Sequence, residues 1–474
     1  MRFPGTRAME LECVASHTDG PWPQMSERSG LIEVGEDIGW MQELVQETLR
    51  EVARQGATSA EAAASTSSGL SVSVRLGEVE TIEHVRDKGL GVNAYFGHKK
   101  GAASTTDFAP AAIKETVRAA CDIARYTAED PCAGLADAQL MAREIPELDL
   151  FHPWELDPDA AIRLALESED AARGFDARIT NSEGASLDRY RQSHVYGNSH
   201  GFIGGYSATR HSISCAVIAQ SGSGMQRDYW YTVARDPVDL EDAGAVGRKA
   251  AERTLRRLDG RQVPTCSVPV LFSAEIASGL FGNFIAAISG GNLYRNASFL
   301  VDHLGRQIFP EHIRIHEQPH LAKAMGSAPF DNEGVATRRR DIVTEGVLQG
   351  YVLSSYSARK LGTQTTGNAG GVHNLTIEPG ARSFEELVRL MDRGLLVTEL
   401  MGMGVNIVTG DYSRGASGFW VEGGEIRHPV QEITIAGNLR DMFQGIREVG
   451  TDVDARGNVR TGSVLIERMT IAGQ

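Results

Sequence analysis

The spacing of apolar residues changes period several times along the chain, and each change marks an element. Ile38, Met41, Leu44, Val45 and Leu49 share one face of a helix predicted over 37–54, with Gly56 beyond its end. From Gly69 the period drops to two. Leu70, Val72, Val74 and Leu76 alternate with Ser71, Ser73 and Arg75, the pattern of a half-buried strand. Strands over 78–85, 89–96 and, after a turn at 98–101, 102–105 complete an antiparallel meander. Pro110 opens a helix over 110–125 that buries Ile113, Val117, Ala120 and Ile123. A proline-punctuated connector over 130–147 leads to a helix over 157–174. Strands follow at 177–182, 187–196, 201–208, 211–220 and 228–234, and a helix over 240–258 closes this half.

The second half opens on an apolar run at 268–272 of strand composition. From Ala274 the residues Ile276, Leu280, Phe284, Ile285 and Ile288 recur at helical spacing, and Gly290 and Gly291 read as a helix stop. A loop and strand region follows over 292–309. Residues 340–343 and 347–354 form a hairpin about Glu345 and Gly346, and 355–361 begins a helix. Ser383, Phe384, Glu385 and Glu386 form a capping box for a helix reaching 393. Strands are expected at 395–400, 405–409, 418–421 and 432–435. The phrase TIAG at 434–437 recurs at 470–473, too short a match to indicate a duplicated domain.

These elements predict an α+β fold, with antiparallel sheets and helices packed against them. A loose tail spans 1–34, and Met25 is a candidate start. An N-terminal α/β domain spans 35–262 in two subregions, 35–130 and 150–262. A larger, Gly-rich, β-containing C-terminal domain spans 263–474.

At 474 residues, 41% hydrophobic and 23% charged, the composition is that of a globular protein with room for several cores. A formal net charge of −15 argues against nucleic acid as a partner, since phosphate neutralisation needs basic surface. Arg338, Arg339 and Arg340 are the one compact basic cluster and read as a solvated strand edge. Five cysteines without a CxxC pair suit reduced thiols. No apolar run approaches the ~18 residues that span a bilayer, and the first residues lack the apolar core of a signal peptide. The expectation is a cytoplasmic protein without a membrane partner.

Three local patterns suggest chemistry and are set aside. Residues 89–94, GLGVNA, match GxGxxA, but no helix follows to receive a pyrophosphate. His194, His200 and His211 lie among strands, where alternate faces separate them. His316, Glu317 and His320 satisfy HExxH, the zincin motif. Both histidines must share one helical face, and Pro319 sits inside that turn, where it lacks an N–H and crowds the preceding carbonyl. His316 and His320 are therefore rejected as metal ligands. Two glycine-rich polar stretches remain as candidate ligand contacts: 365–374 with Asn368 and His373, and 409–417 with Asp411, Tyr412, Ser413 and Arg414.

The long motifs AISGGNLYRNASFL, PFDNEG, SSYSARKLG, GNAGG, VTELMGMGVNIVTGDYSRGASGFWVEGGEI, PVQEITIAGNL and the terminal IAGQ carry a family resemblance. GLGV, residues 104–107 and ARYTAEDPCAGLAD add to it, so it runs from about residue 35 to the end. The chain resembles the TldD/PmbA family of bacterial metalloprotease subunits, on the PmbA (TldE) branch. In the TldD branch the corner at 273–275 begins a helix with an HExxxH motif, whose histidines bind zinc and whose glutamate is the base. Here those six positions read Ala274, Glu275, Ile276, Ala277, Ser278 and Gly279. A methyl group and a hydrogen offer zinc no lone pair. Glu275 alone remains, at the family's base position, where a helix's first turn also favours a carboxylate. A late cysteine ligand of the catalytic branch falls near Thr461.

The resemblance implies a heterodimer with a TldD-type subunit that holds the zinc, this chain binding no cofactor. The expected substrates are small or unfolded peptides, lying as an added strand in an enclosed chamber. This chain would shape the chamber and bind peptide through 365–373 and 409–417. Two other readings stand beside it: a hydrolase active on its own, although no GxSxG elbow is present, and a homodimeric peptide-binding protein without enzymatic role.

Overall fold

Ile38 opens the described part of the chain: the computed structural model describes residues 38–222 and 224–473. The expected tail and the candidate start at Met25 lie outside the described residues. In the N-terminal half, helix α1 (Ile38–Arg54) is followed by β1 (Ser59–Arg75), β2 (Glu78–Phe96) and β3 (Lys99–Thr105), then α2 (Pro110–Tyr126). After the connector come α3 (Pro158–Arg173), β4 (Ile179–Asn198), β5 (Ile203–Ser221), β6 (Gly224–Ala234) and α4 (Ala243–Arg256). Both predicted subregions build one six-stranded antiparallel sheet in the order β3-β2-β1-β4-β5-β6.

Strands here are longer than the pattern predicts. β1 starts at Ser59 rather than Gly69, because Ala60, Ala62 and Ala64 are buried beneath α1 and α2. Alanine and serine alternate with too little hydrophobic contrast to register as a period. Likewise β2, β4 and β5 each run through positions read as breaks. All four helices cover the face that carries Ala62, Leu70, Val72, Leu187 and Val217. α3 and α4 pack so closely that a Cβ on Gly247 would overlap the Ser168 carbonyl oxygen.

The opposite face, with Ala63, Tyr196 and Tyr206, meets the C-terminal half at Phe330 and Val335. The connector crosses there, Met141 bridging to Val335.

In the C-terminal half, β7 (Cys266–Phe272) runs straight into α5 (Ala274–Ala287), as the pattern predicts. Gly290 and Gly291 do not stop that helix through left-handed dihedrals. They lie in a further turn, α6 (Gly290–Leu293), and neither has positive φ. Gly290 is small for another reason: a Cβ would overlap the Ser357 hydroxyl. The chain continues through turns to β8 (Ile315–Glu317), β9 (Arg340–Thr344), β10 (Val347–Leu348), α7 (Ser355–Lys360) and β11 (Leu375–Ile377). The β9–β10 turn places Glu345 at φ 50 and Gly346 at φ 73, the doubly left-handed turn of a tight hairpin. Its second strand stops at Leu348, short of the predicted 354.

Next come α8 (Phe384–Met391), β12 (Gly394–Met401), β13 (Asp411–Glu422), β14 (Glu425–Asn438), α9 (Leu439–Gln444), β15 (Ile446–Val449), β16 (Val459–Arg460) and β17 (Val464–Ala472). Both halves of the predicted capping box form at α8: Glu386 N–H donates to the Ser383 hydroxyl, and Ser383 N–H to the Glu386 carboxylate. β8–β11 and β16 make a five-stranded sheet, and β14-β13-β12-β7-β17-β15 a six-stranded one. The repeated TIAG phrase finds a role in the latter. Thr434, Ile435 and Ala436 pair antiparallel with Ala472, Ile471 and Thr470, so the two copies join β14 to β17.

Two predictions about 405–417 reverse. Residues 405–409 form a loop, and the stretch from Asp411, read as flexible backbone, is β13.

Candidate functional site

The corner between β7 and α5 is set by local sequence. Ser273 has extended backbone at the N-cap, and its N–H donates to the Val397 carbonyl at 3.0 Å, tying the corner to β12. Glu275 follows in the first turn of α5. It opens onto a cleft of about 510 Å³, lined among others by Trp230, Ser273, Ala274, Phe419, Asp454 and Ser463. A second cleft of about 330 Å³ shares Asp228, Trp230, Arg253, Glu275, Thr398 and Arg456 with the first, and adds Ser278, Gly279, Leu400 and Arg414.

Charge in this corner is organised as a chain of ion pairs between the two halves of the molecule. Arg253 Nη1 lies 3.3 Å from both Glu275 oxygens, and Arg253 Nε 3.5 Å from Asp228. Arg257 bridges Asp228 and Glu399. Arg456 lies 2.9 Å from Asp454 and 3.7 Å from Glu275, with Trp230 and Tyr231 on its faces at 4.3 and 4.4 Å. Burial works to raise the Asp454 carboxyl, but the Arg456 guanidinium holds it below its ordinary value. Asp452 is committed to Ser463, whose N–H and hydroxyl donate to it at 3.0 and 2.6 Å. Thr461 is fully buried, donates to the Gly462 carbonyl and does not line the cleft, which Ser463 does.

The strand beside the cleft is half paired. β12 runs parallel to β7 only at Leu395, Leu396 and Val397, because β7 then turns into α5. Beyond that point the ladder partner of Glu399, Leu400 and Met401 is β13, through Ser417, Ala416 and Gly415. Among the described residues, no strand pairs with the backbone of 398–401 on the α5 side, which is thus an open strand edge bordering the cleft.

The remaining predicted residues divide into three groups. Asn368 and His373 meet at Glu317, which is 2% exposed. Its Oε1 accepts from Asn368 Nδ2 at 2.8 Å and His373 N–H at 2.9 Å, and its Oε2 from Arg340 Nε at 2.6 Å. Arg340 also donates to Asn368 and to the Tyr351 carbonyl. The reading of Arg340 as a solvated edge is therefore corrected: only Arg338 and Arg339 are exposed, while Arg340 points inward to a buried acid. Asp331 anchors the same glycine-rich loop by accepting from Ala369 N–H, and burial pushes its carboxyl up to about 7. These contacts commit Asn368 and the His373 backbone to packing the loop.

Tyr412 is 2% exposed and belongs to the core, while Asp411 and Ser413 are exposed on β13. Arg414 is the member of that group that lines a cleft with Glu275. The HExxH segment forms strand β8 and the loop after it. His316 faces Glu378 at 3.5 Å and His320 faces the Thr337 hydroxyl at 3.0 Å, so the two point to different neighbours. His194 and His211 sit on β4 and β5, and His200 in the turn between them. Among the described residues, no three His, Cys, Asp or Glu side chains group as a metal ligand set.

Asp228, Arg253, Glu399 and Arg456 were not visible as site residues in the sequence. They come from positions 25 to 228 residues apart, and nothing in their local sequence marks them.

Three segments match models of one family: residues 60–124 the PmbA/TldA metallopeptidase domain 1, 151–258 its central domain and 265–473 its C-terminal domain. The metalloprotease PmbA of Escherichia coli O157:H7 is 53% identical over 427 residues, covering 90% of this chain and 95% of that protein. The PmbA homologue of Haemophilus influenzae is 49% identical over 89% of this chain and 94% of its own length. The fold is similar to that of TldE from Thermococcus kodakarensis, with a TM-score of 0.79 at 23% identity, over 91% of this chain and all of that one.

Proposed function

The chain belongs to the PmbA/TldA metallopeptidase family, and from that premise we propose that it is the subunit without zinc in a two-subunit peptidase, binding small or unfolded peptides for a TldD-type partner. The observation that carries this reading is the corner at Glu275. Ala274 and Gly279 stand where the catalytic branch has its histidines, and neither has a donor atom for a metal. The acids around the cleft are already matched. Glu275 and Asp228 face Arg253, Asp454 faces Arg456, and Asp452 accepts from Ser463. A dication entering there would meet guanidinium groups rather than free carboxylates. Zinc is assigned to the partner, where it would acidify a bound water.

The free edge of β12 supports the peptide half of the reading. An extended peptide added beside 398–401 would satisfy backbone groups whatever its side chains, which suits unfolded substrates. A cytoplasmic location agrees with the free thiols of Cys121, Cys132, Cys215 and Cys266. No helix among the described residues is long and apolar enough to cross a membrane.

The test is metal content and peptide cleavage of the purified chain, alone and mixed with a TldD-type subunit. The reading expects a zinc-free, inactive chain alone and cleavage in the mixture. Stoichiometric zinc with cleavage by the chain alone would overturn it.

A further inference from the structure

Of the arginines lining the smaller cleft, three are matched by acids. Arg253 faces Asp228 and Glu275, Arg257 faces Asp228 and Glu399, and Arg456 faces Asp454 and Glu275. Arg414 differs. Among the described residues no carboxylate pairs with it, and its Nε is shielded from solvent without a hydrogen-bond acceptor. Its side-chain hydrogen-bond partner is the Tyr412 hydroxyl, a neutral group that leaves the guanidinium charge unmatched and the Nε unbonded. All three acids of this cleft, Asp228, Glu275 and Glu399, are already engaged. A half-buried guanidinium with a shielded, unsatisfied N–H is a cost that an arriving anion removes, and a carboxylate fits its planar fork.

Its position relates that charge to the free strand edge. Gly415 pairs with Met401, so Arg414 sits one step past the end of β12, where the unpaired stretch 398–401 finishes. A peptide laid along that edge from the α5 corner therefore ends at Arg414.

We propose that Arg414 determines specificity in this site by receiving a carboxylate of a peptide held against β12, either the terminal carboxylate or an acidic side chain. This rests on the peptide-binding reading above. Arg414 selects anionic peptides, while Glu275 with its two arginines presents a neutralised wall.

The test is fluorescence anisotropy on the full chain. The probes are four versions of one labelled, unstructured decapeptide: with a penultimate glutamate and free terminus, with that terminus amidated, with glutamine for glutamate, and with both changes. The wild-type chain is expected to bind the first about tenfold tighter than the last, the scale of one charge-assisted contact. Whichever single change produces the loss identifies the source of the carboxylate. Arg414→Gln is expected to bind all four within about twofold, with affinity for the doubly changed peptide unaltered. Arg414→Lys keeps the charge without the fork and is expected to retain part of the preference; it also decides the matter should Arg414→Gln fail to fold. A preference kept intact in Arg414→Gln, or absent from the wild type, overturns the proposal alone. Failure of the wild type to bind any of the four overturns the peptide-binding reading with it.

Discussion

Arg253 on α4 holds Glu275 on α5, its Nη1 lying 3.3 Å from each carboxylate oxygen, and so joins the two halves of the molecule at the cleft of about 510 Å³. Arg456 adds a second guanidinium at 3.7 Å. Held this way, Glu275 forms an ion-pair link between the two halves. Glu275→Gln is expected to leave peptide cleavage by the mixed complex within about threefold of wild type. Losing a charge-assisted pair in a half-exposed position is expected to lower unfolding free energy by about 1–2 kcal/mol. Parallel kinetics and urea unfolding check both. A hundredfold fall in kcat with unchanged stability would restore a catalytic role to Glu275.

Arg340 and Glu317 form the pair that fixes the glycine-rich loop, at 2.6 Å and with Glu317 2% exposed. Arg340→Leu strands a buried carboxylate, a change that typically costs about 3–5 kcal/mol. The Arg340→Leu/Glu317→Leu double variant removes both charges and is expected to be more stable than the single one. Chemical unfolding of the three proteins measures the difference. A single variant as stable as wild type would mean that the pair is open to solvent.

Asp331 supplies a pH dependence. Burial raises its carboxyl from 3.8 to about 7, outweighing the backbone N–H groups of Ala369, Glu333 and Val335 that favour the anion. A folded-state value above the unfolded one means that the protonated form contributes stability. That contribution is complete below about pH 4 and is lost as pH rises through about 7. Unfolding free energy attributable to this group should therefore fall between about pH 4 and pH 7 and level off above. Asp331→Asn, which cannot ionise, is expected to be less stable at pH 5 but to show a flatter profile over the same range. Equal slopes in the two proteins would contradict the assignment.

Gly247 lies at a close contact between α3 and α4. Because a Cβ there would overlap the Ser168 carbonyl, Gly247→Ala is expected to cost about 1–3 kcal/mol despite alanine's better helix propensity. Gly279→Ala on α5, where nothing stands near the Cβ position, is the control and is expected to be neutral or slightly stabilising. Thermal unfolding of both variants separates packing from propensity.

Much of this architecture was legible in the chain. The helices at Ile38–Arg54 and Pro110–Tyr126 formed on their apolar stripes, except that Ile123, expected to be buried, is 48% exposed near the end of its helix; the capping box at Ser383 and the turn at Glu345-Gly346 formed as their residue chemistry requires. Contrast between neighbours made those signals readable. Where contrast was missing, the reading failed. The alanines and serines of β1 hid ten residues of strand, and the glycines and polar residues around Asp411 looked like a loop although both neighbouring strands pair with them.

Local periods, caps, turns and the long family motifs were thus determined by the sequence itself, because each depends on residues within a few positions of one another. So was the absence of donor atoms from the side chains of Ala274 and Gly279. Which charges meet was decided only by the tertiary structure. Asp228, Arg253, Glu275, Glu399 and Arg456 converge because β6 and α4 of one half are packed against α5 and β12 of the other. The same packing pairs every acid in the smaller cleft and, among the described residues, leaves Arg414 without one. An ion pair across such an interface carries no periodicity along the chain, since its geometry is fixed by how sheets and helices stack and not by the spacing of its members.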